Sequence, residues 1–72
     1  MDAMKTGSFI AQKRKERNIS QRELAKYLYI TDKAISKWER GLSFPDITVL
    51  IPLSEVLGVS LYDLLTGGGS DE

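Results

Sequence analysis

Four side chains between residues 32 and 37 supply the donors and acceptors that can read the edge of a nucleic-acid base. Asp32, Lys33, Ser36 and Lys37 have the spacing i, i+1, i+4 and i+5, which places them on one stripe of a helix. Lysine can donate to guanine O6 and N7 or to phosphate, serine can do either, and aspartate can accept from cytosine N4. Asp32 is the most diagnostic of the four, because an acid facing a polyanion weakens binding unless it meets a donor. The alternative interpretation is a solvated helix face.

Two short helices joined by a tight turn are predicted to hold this stripe. Apolar residues define one buried face on each helix: Leu24, Ala25 and Leu28 on the first, Ile35 and Trp38 on the second. A small side chain at Ala25 lets the second helix cross closely over the first, and Ile35 fills the space beneath the crossing. This geometry is a helix-turn-helix, whose second helix, here residues 31–40, fits a DNA major groove.

The remaining sequence predicts three further helices and no strand. The predicted helices are Thr6–Arg17, residues 21 to 28 or 29, Asp32–Arg40, residues 46–57 and Leu61–Leu65. Ser20 and Glu23 form a capping box at the second helix, and Thr31 caps the third. Pro52 removes the bond to the Thr48 carbonyl, which predicts a kink or a loose first turn at residues 46–49.

Length and composition limit the possible classes of function. Seventy-two residues allow one domain, predicted at residues 1–66, followed by a flexible tail or linker at residues 67–72. The chain contains no cysteine and no histidine, so thiolate sites and the commonest general base are missing. We therefore expect no enzyme, no metal and no cofactor, and we see no small-molecule site. No apolar run could span a bilayer and no signal peptide is visible, which predicts a cytoplasmic protein.

The net charge of zero hides an uneven distribution. All ten Lys and Arg residues lie within residues 1–40 beside five acidic residues, giving +5. Residues 41–72 hold five acidic residues and no base, giving −5. Such a layout suits a polyanion on one side of the molecule and solvent or a partner on the other.

Four segments together resemble the Cro and lambda-type repressor family, also called the xenobiotic response element family. The segments are ISQRELA (Ile19–Ala25), ITDKAISKWERG (Ile30–Gly41), FPD (Phe44–Asp46) and LGVSLYDLL (Leu57–Leu65). The resemblance covers residues 9–65 and implies a compact all-α bundle of five helices. It also implies a transcriptional regulator, most often a repressor, that binds an inverted-repeat operator in double-stranded DNA as a homodimer.

The resemblance also assigns roles to individual residues. Asp32, Lys33, Ser36 and Lys37 occupy the base-reading positions. Gln21 corresponds to a glutamine that contacts phosphate and braces the recognition helix, and Arg40 to a phosphate contact. Arg14 and Glu39 correspond to an ion pair between the first and third helices, which we expect to be partly structural and partly phosphate-facing. Thr31 is also expected to contact the DNA backbone.

Tyr29 departs from the family pattern at the turn between the two helices. The family usually has Gly or Asn at this position, and a tyrosine at positive φ costs about 1–2 kcal/mol. The turn therefore either differs from that of the family or carries this strain.

A second class of function stays open beside DNA binding. A protein-interaction module of the same fold, such as an antirepressor or scaffold, would not bind DNA. It would need an exposed apolar patch, which the sequence alone does not locate. The basic first half favours DNA.

Overall fold

Five α-helices form the described part of the chain. The computed structural model describes residues 2–68, and its helices are α1 (Ala3–Glu16), α2 (Gln21–Leu28), α3 (Asp32–Glu39), α4 (Ile47–Leu57) and α5 (Leu61–Thr66). No strand occurs within residues 2–68. The predicted all-α class with five helices is confirmed.

The first helix begins earlier than predicted. The carboxylate of Asp2 accepts hydrogen bonds from the backbone N–H groups of Met4 (2.9 Å) and Lys5 (3.2 Å). The predicted start at Thr6 was wrong because Asp2 caps the helix and allows it to begin at Ala3. At the other end, Asn18 follows the C-cap residue Arg17 and has a φ of 58°, the left-handed conformation in which many helices end.

Pro52 lies inside α4 without loosening its first turn. The Leu50 N–H donates to the Asp46 carbonyl at 3.1 Å, which closes a regular helical turn at the start of α4. The predicted loose turn at residues 46–49 was therefore wrong, and α4 is helical from Ile47 onward.

Each of the five helices contributes one wholly buried aliphatic side chain to a shared core. These side chains are Ile10, Leu24, Ile35, Leu53 and Leu64. Burial of one such side chain stabilises the fold by about 1.5–3 kcal/mol. Trp38 is also buried, which confirms its predicted place in the core.

A buried hydrogen bond joins α5 to α1. The Thr6 hydroxyl donates to the Leu64 carbonyl at 2.7 Å, which connects α1 with α5. Gly67 has a φ of 72° and ends α5, and the Gly68 N–H donates to the Asp63 carbonyl at 2.7 Å. Residues 69–72 of the predicted tail lie outside the described residues, so the boundary at residue 66 stays a prediction.

Candidate nucleic-acid interface

The helix-turn-helix is formed by α2 and α3 and by the turn at residues 29–31. Ala25 and Ile35 are both buried in the shared core, as the sequence predicted. The capping box at α2 is complete, with the Ser20 N–H donating to the Glu23 carboxylate at 2.9 Å and the Glu23 N–H donating to the Ser20 hydroxyl at 3.0 Å. These local hydrogen bonds fix where α2 begins and therefore how α3 is presented.

Tyr29 has the left-handed backbone conformation that the family turn requires. Its φ is 57° and its ψ is 42°, and its backbone N–H donates to the carbonyls of Ala25 and Lys26. The turn thus has the left-handed conformation that glycine usually adopts, although the residue is a tyrosine. The side chain is 96% exposed, so packing does not offset the strain.

The predicted base-reading residues lie on the outer side of α3. Asp32, Lys33 and Lys37 are exposed and Ser36 is half-buried, while Ile35 and Trp38 face the core. Within residues 2–68, none of the four side chains makes a hydrogen bond or a salt bridge. Their donors and acceptors therefore remain available to an external ligand.

Thr31 and Arg40 lie at the two ends of this stripe. The Thr31 hydroxyl accepts the Ala34 N–H at 3.2 Å and caps α3, and the residue is exposed. Arg40 is the C-cap of α3 rather than its last helical residue, and its Nε donates to the Ser36 carbonyl at 3.3 Å. This bond does not use the Nη atoms of Arg40, which can still reach an anion beside the helix end.

A charged network connects α3 with the two helices before it. Arg14 on α1 donates to both carboxylate oxygens of Glu39 on α3, from Nε at 2.6 Å and from Nη2 at 3.0 Å. Gln21, at the start of α2, donates from Nε2 to Glu39 Oε1 at 2.9 Å. The predicted Arg14–Glu39 ion pair and the bracing contact of Gln21 are both present.

Arg14 lies inside the molecule rather than on its basic surface. The residue is 9% exposed, and Nη1 donates to the Ile19 carbonyl at 2.9 Å in addition to the two bonds to Glu39. Donation of hydrogen bonds to the Glu39 carboxylate raises the pKa of Arg14 above its ordinary value, while burial acts in the opposite direction. The expectation that Arg14 also faces phosphate stays a prediction, and its burial and its three internal hydrogen bonds favour a structural role instead.

Gly7 is a position that the sequence analysis missed. It lies on α1 where this helix passes closest to the end of α3, and a Cβ at residue 7 would overlap the Trp38 carbonyl group, 3.0 Å from its carbon. A glycine within an otherwise regular helical segment was the available signal. Gly7 sets the distance between α1 and α3, and so the position of the Arg14–Glu39 bond.

Residues 2–68 contain neither a candidate metal-ion site nor a helix that could span a membrane. No group of three or more acidic, histidine or cysteine side chains there could hold a metal ion. No helix in this range is long and apolar enough to cross a membrane.

Comparisons with known proteins agree with this geometry. A family model described as helix-turn-helix matches residues 10–64. Over 58 residues the chain is 38% identical to the HTH-type transcriptional activator BcrR of Enterococcus faecalis, which covers 81% of this chain and 28% of BcrR. Over 61 residues it is 43% identical to the HTH-type transcriptional regulator DicA of Escherichia coli K12, covering 85% of this chain and 45% of DicA. The chain thus spans less than half of either relative.

Solved structures of complexes with DNA are among those that resemble this fold. The P22 c2 repressor protein bound to a synthetic operator superimposes with a TM-score of 0.83 at 37% identity. The match covers 86% of this chain and 94% of the repressor chain. The fold described above is therefore that of lambda-type repressor domains.

Proposed function

The chain belongs to the helix-turn-helix family, and from that premise we propose that it is a sequence-specific DNA-binding transcriptional regulator, most simply a repressor. The observation that carries the proposal is the exposed stripe of α3, whose four polar side chains have no partner among the described residues and whose opposite face is locked in the core. The names of the relatives and the operator complex of the P22 c2 repressor support it. We place such a regulator in the cytoplasm, together with the chromosome. DNA binding requires no catalytic group.

The exposure and the position of each side chain indicate which part of the DNA it contacts. Asp32, Lys33, Ser36 and Lys37 read bases in the major groove, while Gln21, Thr31 and Arg40 contact the DNA backbone. Arg14 is given a positioning role in place of a phosphate contact, because its donors are used inside the molecule.

Binding is expected to depend strongly on salt. Residues 1–40 hold ten basic and five acidic residues, and we expect roughly 3–5 phosphates to be neutralised per protein copy. The logarithm of the binding constant should then fall against the logarithm of salt concentration with a slope of about −3 to −9, depending on whether one copy or two are bound. Fluorescence anisotropy on a selected site measures the slope, and a flat response would refute DNA binding.

Lys37 and Asp32 are expected to affect specificity in different ways. Lys37→Ala should cost about 1–3 kcal/mol on the best site and much less on random DNA if Lys37 contacts a base. Asp32→Ala should change which base is preferred, because the carboxylate accepts from a particular base donor. Selection from random-sequence DNA with each variant measures both effects. Equal losses for Lys37→Ala on all DNA would make Lys37 a phosphate contact, and an unchanged preference with tighter binding would make Asp32 a bystander.

We propose that two copies bind one operator. A single recognition helix reads about four base pairs, which is too little to specify one site in a genome. The C-terminal half offers exposed apolar side chains for the contact: Leu42, Ile47, Ile51, Leu61 and Tyr62 are exposed, and Leu65 is half-buried. Selected sites should be inverted repeats with half-sites about 10 base pairs apart. Single half-sites bound one-to-one would rule this out.

A further inference from the structure

Two exposed tyrosines lie on α2 and at its C-cap and line one surface pocket. Tyr27 is 59% exposed, and Tyr29 lines a surface pocket with Tyr27, Glu23 and Lys26. We call these four residues the tyrosine face. A second pocket also includes Tyr27. Neither pocket includes any residue of α3, so a ligand bound here leaves the base-reading stripe open.

Tyr29 is not explained by the stability of the isolated fold. Its left-handed backbone is unfavourable for any side chain other than glycine, asparagine or aspartate, and its ring is almost fully exposed. A glycine would adopt the same turn without strain. Strained residues cluster at functional sites, so a strained and exposed aromatic side chain indicates a surface that binds a ligand.

The charge available on the tyrosine face is positive. Lys26 is exposed and makes no salt bridge within residues 2–68, and Arg22 is exposed one turn earlier on α2. Glu23 Oε1 accepts the Ser20 N–H of the capping box and Glu23 keeps its negative charge, so Lys26 and Arg22 together leave a net positive charge on this side of α2. Ammonium and phenol groups donate well to carboxylates, so this face is complementary to an acidic ligand.

Tyr27 connects the tyrosine face with an apolar pocket. This second pocket is lined by Tyr27, Ile19, Val56 and Arg17, and both aliphatic side chains are half-buried. A DNA phosphate would gain nothing from aliphatic walls, whereas a peptide can place an apolar side chain between them. The pair of pockets therefore favours a protein ligand over a nucleic acid.

We propose that the tyrosine face binds an acidic segment of a protein partner while α3 holds DNA. Lys26 and Tyr29 contact the acidic side chains, and the pocket between Ile19 and Val56 takes an apolar side chain of the same segment. This interaction goes beyond DNA binding and does not require it, since the two surfaces are formed by different residues.

A peptide selection tests the proposal directly. A random 12-residue library displayed on phage is selected against the free protein, and the enriched peptides are measured by fluorescence polarisation. We expect peptides with two or more acidic residues around one apolar residue. Lys26→Glu should weaken their binding at least tenfold, and a peptide in which one acid is replaced by lysine should recover part of the affinity for that variant. Lys5→Glu, a charge reversal at the far end of α1, is the matched control and should bind as wild type.

Tyr29→Gly separates binding from folding. Its thermal midpoint should be equal to or above that of the wild type, because glycine fits the left-handed turn, while peptide affinity should fall at least fivefold. Its affinity for a selected DNA site should stay within twofold. Enriched peptides without acidic residues, or equal peptide binding by Lys26→Glu and the wild type, would overturn the proposal. A loss of DNA affinity in Tyr29→Gly and Lys26→Glu would assign this face to DNA phosphates instead.

Discussion

Gly7→Ala is expected to lower the free energy of unfolding by about 2–4 kcal/mol, and the thermal midpoint by roughly 10–25 °C. The added Cβ would overlap the Trp38 carbonyl group and come within 3.2 Å of the Glu39 carbonyl carbon. These atoms belong to the backbone of α3, so no side-chain rotation can relieve the overlap. The better helix propensity of alanine, about 1 kcal/mol, offsets only part of the cost.

Ser8→Ala is the matched control for this prediction. Ser8 follows Gly7 on α1 and is exposed, so its substitution changes helix propensity without changing the contact with α3. Thermal unfolding followed by circular dichroism measures both variants. If Gly7→Ala unfolds within about 0.5 kcal/mol of Ser8→Ala, α1 and α3 can move apart freely and the role given to Gly7 is wrong.

Glu39→Leu is expected to destabilise the protein by about 3 kcal/mol. The side chains of Arg14 and Glu39 are only 11% and 8% exposed, and removing one partner of a buried pair leaves the other charge without compensation. The variant also leaves Gln21 Nε2 without its acceptor. Urea unfolding measures the loss, and a change below about 1 kcal/mol would mean that water replaces the carboxylate without cost.

The double variant Arg14→Met/Glu39→Leu distinguishes a structural role from a positioning role. Replacing both charges with apolar side chains of similar volume is often neutral, so much of the stability lost in Glu39→Leu should return. DNA affinity should nevertheless stay about tenfold below that of the wild type, because Gln21 and the end of α3 are no longer held together. A stable double variant that binds DNA as tightly as the wild type would limit the network to folding.

Local signals made most of the fold predictable from the sequence. The apolar periodicity of residues 24–38 indicated which faces of α2 and α3 are buried, and the capping residues Ser20 and Thr31 marked where both helices begin. These signals act over three or four residues, so they are visible without tertiary structure. The start of α1 differs from the prediction because the apolar face of this helix begins only at Phe9, whereas the Asp2 cap allows the helix to begin at Ala3.

The base-reading stripe was predictable for the same reason. Once Ile35 and Trp38 face the core, the helical period fixes which residues face outward, and the structure has Asp32, Lys33 and Lys37 exposed there. Whether each of these side chains contacts a base stays a proposal.

The sequence by itself thus determined the five helices, the crossing of α2 and α3 and the residues on the outer side of α3. Only the tertiary structure decided how closely the helices pack and which polar groups are used internally. Gly7 lies against α3, more than 30 residues away in the chain, and the fork of Arg14 is occupied by Glu39 and Ile19. Such contacts depend on distances between helices, which caps and periodicity within one helix do not encode. The same limit applied to Tyr29, since the sequence left open whether the turn is strained or has another geometry, and only the fold decided for the left-handed turn and the exposed side chain.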